Sequence, residues 1–359
     1  MKIAHVADSM EMGGAEMIVS QMCRLQRAQG HAPRVYAIAA LGVLGEQLQK
    51  EGFTVQANVG RHLLDAQWEF LRIFKEFRPE VVHLHNPTPT VYAAAAAWMA
   101  GTPSIVSTRH SLVAPPHKRV AEFKYALAAR CCHWVAGICD ATVDNLKNMH
   151  GVPERKIVRV YNGSTPVPRL PRERWPVKEG FTLVYVGRFE PVKNHGLLLH
   201  AFRAARSRLG NLRLWMVGDG SQRASLEMLA AELGIREQVT FWGQQLDVAP
   251  FFSAADAFIM SSKSEGLPMS LLQAFSVGLP AIVTDVGGMA EAVRLARGGL
   301  TVAPADPEAM AGAIIRLAND DAERGEFSKN AVEAFRARFT IDAMVAAYFA
   351  LYERAARRP

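Results

Sequence analysis

The chain alternates two hydrophobic patterns. Short runs that are apolar almost throughout read as strands: KIAHVA (2–7), PRVYAIA (33–39), VVHLH (81–85), SIVST (104–108), WVAGI (134–138) and KIVRVY (156–161). Between most of them lie longer amphipathic stretches, such as GAEMIVSQMCRLQRAQG (14–30) and the segment from Pro115 to Arg130. Strands apolar on both faces and separated by helices predict a parallel sheet covered on both sides. The stretch STPVPRLPRERWPVKEG (164–180), dense in proline and charge, breaks the rhythm and reads as a linker. The alternation then restarts with FTLVYVG (181–187), LRLWMVG (212–218), VTFWG (239–243), AFIMSS (257–262) and AIVTD (281–285). The expected fold is α/β, two doubly wound domains facing a cleft beyond the carboxyl ends of their strands. The expected boundaries are 1–165, a linker at 166–180, a second domain at 181–340 and a C-terminal segment at 341–359. A last helix is expected near 340–357.

Length and composition fit this division. A chain of 359 residues, half hydrophobic and one fifth charged, can bury two ordinary cores and is not of disordered type. The 41 basic and 34 acidic residues give a formal charge of +7, with the larger excess before Thr165. That excess suits a phosphorylated substrate or an anionic lipid surface, and the absence of a long basic run argues against nucleic acid. The chain opens at Met1 directly into a strand, so no signal peptide is expected. The longest apolar stretch, VYAAAAAWMA (91–100), falls well short of the ~20 residues of a membrane span. Four cysteines (Cys23, Cys131, Cys132, Cys139) make no disulfide framework and lack metal-clip spacing, so a reducing cytoplasmic setting is expected.

The chemistry gathers after the second-domain strands. GRFEPVKNHG places Arg188 and Lys193 in one loop, GDGS follows the next strand, and KSEGLPMSLLQA follows AFIMSS. Two cations can neutralise a diphosphate. Gly266 allows close backbone approach, and Pro268 suits a first helical turn. The N–H groups of Met269 and Ser270 then point from a positive helix end at an anion. Glu265, just outside that end, is placed to accept from ligand hydroxyls. His83 and His85 share one strand face, but two histidines alone do not make a metal site. No paired acids resembling D-x-D stand at a strand end, so a divalent ion is not required.

The ordered set MGGAE (12–16), VVHLHNP (81–87), STRHS (107–111), YNGS (161–164), VGRFEPVKNHGLLLHAF (186–202), VGDGS (217–221) and SSKSEGLPMSLLQAFSVGLPAIVTDVGG (261–288) resembles the retaining glycosyltransferases of family 4 nearly end to end. The resemblance implies the GT-B fold of two Rossmann-like domains, with the final helix crossing back onto the first. It implies an acceptor-binding first domain and a second domain holding a nucleotide-diphospho-sugar, a UDP-sugar by default or a GDP-sugar. Arg188 and Lys193 would hold the diphosphate with the amides of Met269 and Ser270, and Glu265 would contact the donor sugar. Gly14 would lie near the phosphates, His110 would face the reaction centre, and the base would sit near Trp242 and Gly243. Gly187, Gly218 and Gly266 complete the donor set. His110, Arg188, Lys193 and Glu265 are the catalytic candidates, with no cofactor and no metal. The acceptor would be a glycan or a lipid-linked sugar in bacterial surface or exopolysaccharide synthesis, reached at the inner face of an anionic membrane.

One position departs from the family pattern E-x7-E. Glu265 supplies the first acid, but Gln273 stands where the second would grip the ribose. An amide accepts through one oxygen where a carboxylate uses its charge, so donor binding should weaken about tenfold without being lost. A sugar-nucleotide epimerase of the same fold and a noncatalytic nucleotide-sugar binder are the alternatives.

Overall fold

The computed structural model describes residues 1–60, 63–112, 119–149, 151–171 and 180–356. Residues 172–179 of the expected linker, 115–118 of the Pro115–Arg130 segment, and 357–359 at the C-terminus lie outside them. The chain divides into two compact units, Met1–Ser164 with Thr340–Pro359, and Thr165–Phe339.

In the first unit, seven strands among the described residues are β1 (Lys2–Ala7), β2 (Ala32–Ala37), β3 (Thr54–Gln56), β4 (Val81–His85), β5 (Ser104–Arg109), β6 (Trp134–Gly137) and β7 (Ile157–Arg159). The helices between them are α1 (Gly14–Ala28), α2 (Gly42–Lys50), α3 (Leu63–Phe77), α4 (Pro87–Met99), α5 (Arg119–Ala129) and α6 (Asp140–Lys147). All pairings are parallel, in the order β3-β2-β1-β4-β5-β6-β7. Winding therefore reverses between β1 and β4.

Alternation along these strands separates two cores. Ala4, Val6, Val82, Leu84 and Ile105 pack with Phe70, Phe74 and Tyr125 of α3 and α5. The opposite face carries buried polar side chains, His5, His83, His85 and Thr108.

The chain returns to this unit at Thr340, which bridges Ser164, and Ile341 N–H donates to the Ser164 carbonyl at 3.0 Å. A Cβ on Gly163 would stand 2.2 Å from the Thr340 carbonyl oxygen, so only glycine lets these two segments cross so closely.

The second unit holds six described parallel strands: β8 (Phe181–Val186), β9 (Leu212–Val217), β10 (Val239–Gly243), β11 (Ala257–Met260), β12 (Ala281–Thr284) and β13 (Gly299–Val302). Their order is β10-β9-β8-β11-β12-β13, with the reversal between β8 and β11. The helices are α7 (His195–Arg206), α8 (Arg223–Glu232), α9 (Ala249–Ala254), α10 (Met269–Ser276), α11 (Gly287–Ala296), α12 (Pro307–Asn319) and α13 (Asp321–Arg338). The last helix, α14 (Ile341–Ala356), belongs to the first unit, where it packs on β5 and α1.

Three details depart from the sequence pattern. The short strands β3 and β13 were not expected, because TVQ buries one residue of three and GLTV only its last. Both lie at sheet edges, where one neighbour suffices and a full apolar run is not needed. The third is Pro268, which is the cap rather than the first helical residue: its φ of −71° and ψ of 134° are extended, and the helix opens at Met269.

Candidate active site

The loops after β8 and β11 flank the point where the second sheet reverses, the place where open α/β sheets bind ligands. They are stitched together by their own backbone. The Ser261 hydroxyl reaches the carbonyls of Lys193 and Asn194, each at 3.0 Å, and Lys263 N–H donates to the Val192 carbonyl at 2.8 Å. Asn194 adopts the left-handed conformation (φ 53°) that ends the turn Pro191–Lys193 and starts α7. This stitching sets Lys193 Nζ 2.5 Å from Glu265 Oε2, with both side chains 16% exposed. Two catalytic candidates 72 residues apart are thus a largely buried ion pair.

Just beyond Glu265, α10 presents its first turn. Met269 and Ser270 are its first two residues, and the first i→i−4 bond arrives only at Leu272, from whose N–H the Pro268 carbonyl accepts at 3.4 Å. The amides of Met269, Ser270 and Leu271 ahead of it have no intrahelical acceptor, and the dipole there favours an anion. Gly266 is buried; Gln273 is half-buried on the same helix, its carbonyl accepting from the Ser276 hydroxyl at 2.7 Å.

The ends of β8, β9 and β10 form the rest of the rim. Gly187 N–H donates to the Val217 carbonyl at 3.0 Å, Gly218 N–H to the Gly243 carbonyl at 2.8 Å, and Phe189 N–H to the Asp219 carbonyl at 2.8 Å. Gly218 has a φ of 141°, and a Cβ there would lie 2.0 Å from the Gly187 carbonyl oxygen. Arg188 is exposed, and its carbonyl accepts from the Tyr185 hydroxyl at 3.2 Å. Burial, reinforced by the nearby Glu265 charge, pushes the Tyr185 phenol well above its ordinary range, so it stays a neutral donor. Trp242 is half-buried and meets Phe251 edge-on at 5.3 Å between centroids.

In the first unit, Gly14 is the exposed first residue of α1, following β1, and His110 follows β5. His110 N–H donates to Asn86 Oδ1 at 3.1 Å, and its ring meets His85 at 3.1 Å (Nε2 to Nδ1). A row continues inward: His85 Nε2 lies 3.0 Å from His5 Nδ1, and His5 Nε2 lies 2.8 Å from Gln26 Oε1. A second buried row runs from Tyr352 through His83 and Thr108 to Tyr348, with contacts of 2.7, 2.7 and 2.9 Å.

Burial lowers the His5 and His110 rings to about 4, and holds His83 and His85 well below the usual range with help from neighbouring histidines. All four are therefore neutral near pH 7. The nitrogens of His5, His83 and His85 that lie within 4.8 Å of one another are already engaged in these rows. Sequence reasoning missed His5 and Gln26. The available signal was a polar residue inside the apolar run KIAHVA, which becomes informative only once β1 pairs with β4 and sets His5 opposite His83.

Comparison with known proteins places this arrangement. Residues 12–165 match the family model described as Glycosyltransferase Family 4, and residues 170–334 match Glycosyl transferases group 1. The chain belongs to this family and is a glycosyltransferase. It is 26% identical over 359 residues to a lipopolysaccharide core biosynthesis glycosyltransferase of Rhizobium meliloti, covering 99% of this chain and 98% of that protein. It is 26% identical over 272 residues to a UDP-Gal:alpha-D-GlcNAc-diphosphoundecaprenol alpha-1,3-galactosyltransferase of Escherichia coli, covering 69% of each. Among solved structures it resembles Anabaena HepE in complex with UDP and glucose, with a TM-score of 0.88 at 19% identity over 99% of this chain and 100% of that one. This likeness shows the GT-B fold.

Proposed function

We propose that this glycosyltransferase moves a sugar, with retention of anomeric configuration and without a metal ion, from a nucleotide-diphospho-sugar to a glycan or lipid-linked acceptor of a bacterial surface polysaccharide. The carrying observation is the Lys193–Glu265 pair beside the open first turn of α10, at the reversal of the second sheet. A cation, a hydroxyl acceptor and free amides at one rim match a diphosphate that carries a sugar. A uridine nucleotide is the donor we favour, because the Anabaena relative is described with UDP and the Escherichia coli relative uses UDP-Gal.

As the bond between the anomeric carbon and the diphosphate oxygen breaks, its electron pair leaves with the phosphate. Arg188, Lys193 and the Met269 and Ser270 amides stabilise the growing negative charge. Glu265 accepts from sugar hydroxyls, and Gln273 takes the ribose. Gly187, Gly218 and Gly266 keep the backbone low around the nucleotide, Trp242 and Gly243 flank the base, and Gly14 lies near the phosphates. The acceptor oxygen bonds to the anomeric carbon on the face the diphosphate leaves, and its proton passes to the departing phosphate oxygen. His110 orients a substrate hydroxyl.

Incubation with radiolabelled nucleotide sugars and candidate acceptors tests this. Transfer supports it; epimer formation, or binding with no reaction across a broad acceptor panel, overturns it.

A face of α5 supports contact of the first unit with an anionic membrane. Val120, Phe123 and Leu127 are 69, 67 and 57% exposed at helical spacing, flanked by exposed Lys124 and Arg130. The helix's acid, Glu122, is drawn inward by Arg109 at 2.8 Å, leaving the outer face apolar and cationic. Among the described residues no helix is long and apolar enough to cross a membrane. Co-sedimentation with anionic vesicles at low salt should capture the chain, and the triple substitution of Val120, Phe123 and Leu127 by serine should release it. Unchanged binding by that variant removes the assignment.

A further inference from the structure

The row Gln26–His5–His85–His110 joins a buried amide on α1 to the histidine assigned above to the substrate. Neutral imidazole carries one proton, so each ring in such a row donates through one nitrogen and accepts through the other. The polarity of the first contact therefore dictates all the rest. Gln26 turns Oε1 toward His5 Nε2 at 2.8 Å and leaves its own Nε2 buried without a hydrogen-bond partner among the described residues. In that orientation the amide accepts, His5 donates from Nε2 and its Nδ1 must accept. His85 then donates from Nε2 to His5 Nδ1, and its own Nδ1 accepts from His110 Nε2. What remains at the His110 end of the row is Nδ1, a buried lone pair with no hydrogen-bond partner among the described residues, which a bound hydroxyl would satisfy. The Asn86 contact to the His110 backbone amide holds that end of the row.

We propose that Gln26, His5 and His85 are positioning residues that hold His110 in its Nε2–H form, so that His110 presents Nδ1 as a hydrogen-bond acceptor for a substrate hydroxyl. The purpose of the row rests on the reading of His110 under Proposed function; its polarity does not. The physical reason for burying two rings and an amide behind His110 is that a lone histidine exchanges tautomers freely, and part of its population would offer a donor where an acceptor is needed. Low proton affinity throughout the row preserves this, since a charged ring would donate from both nitrogens and erase the polarity. The other row, through His83 to Tyr352 and Tyr348, shares no hydrogen bond with it among the described residues and is not part of the device.

Two-bond proton–nitrogen correlation spectra of the intact chain, labelled with nitrogen-15 histidine, read the tautomers directly. The expected result is Nε2–H at His5, His85 and His110, with the His110 Nδ1 resonance shifting when UDP-glucose is added. Three variants extend the test. Gln26→Leu leaves every ring in place but removes the terminal acceptor, so it should give mixed tautomers at His110 and lower kcat/KM about tenfold, the worth of one good hydrogen bond. His85→Leu should do the same. His85→Gln, which keeps one donor and one acceptor, should restore kcat/KM to within about threefold of the wild type. A proton on His110 Nδ1 in the wild type overturns the proposal, as does a Gln26→Leu variant with unchanged tautomers and unchanged turnover. Wild-type turnover by His110→Ala would instead remove the substrate role of His110, and with it the row's purpose, while the spectra still decide the row's polarity.

Discussion

Replacing Lys193 by alanine perturbs two quantities that can be separated. In the folded chain Lys193 Nζ sits 2.5 Å from Glu265, and both side chains are only 16% exposed. Removing the cation leaves a largely buried carboxylate without its partner, which costs about 1–3 kcal/mol of stability. In the reaction it removes one positive group from the departing diphosphate. Single electrostatic stabilisers of that kind are worth about 10²–10³ in kcat. The two losses respond differently to a second change. Lys193→Ala with Glu265→Gln neutralises the orphaned charge and should recover most of the stability, but none of the lost turnover. Thermal unfolding and initial rates with a labelled UDP-sugar, measured for both single variants and the double, complete the cycle. The reasoning fails if Lys193→Ala keeps kcat/KM within about threefold of the wild type, or if the double variant regains activity along with stability.

Other predictions test neighbouring claims. Gln273→Glu should fold normally and tighten nucleotide-sugar binding up to about tenfold, measured by isothermal titration, because a charged acceptor replaces a neutral one. Gly218→Ala should cost at least about 1–3 kcal/mol in thermal unfolding, since a methyl would meet the Gly187 carbonyl oxygen in a backbone conformation that suits glycine. The histidines set an acid limit. His5, His110 and His195 are lowered from 6.5 to about 4 by burial, so the unfolded chain binds protons that the folded chain refuses. Their contribution is whole above pH 6.5 and is lost as pH falls from there toward 4. Stability should drop by roughly 1.4 kcal/mol per pH unit for each such ring across that window. Denaturant unfolding at stepped pH should show the slope, and His195→Gln should reduce it.

Most of the scaffold was legible along the chain because a parallel sheet buried on both faces leaves a simple trace. Runs such as FTLVYVG and LRLWMVG have no polar face to show, and the loops that follow them carry glycine and charge. The site loops could be placed on one rim for the same reason: a sheet in which every strand runs the same way puts every strand-to-helix loop at one end. Edge strands escaped. TVQ at 54–56 and GLTV at 299–302 bury too little to imprint a pattern.

By itself, then, the sequence determined the alternation of elements, two sheets and the loops that carry the chemistry, since hydrophobic period and turn chemistry are local properties. Which side chains meet was decided only by tertiary structure. Lys193 and Glu265 stand on adjacent strand ends because β8 pairs with β11 across three intervening helices. His5 joins His85 and His110 because β1 pairs with β4 in one register, and a slip of one residue would turn that row to the opposite face of the sheet. The order in which non-consecutive strands pair is a property of the whole packed unit, and no local stretch records it.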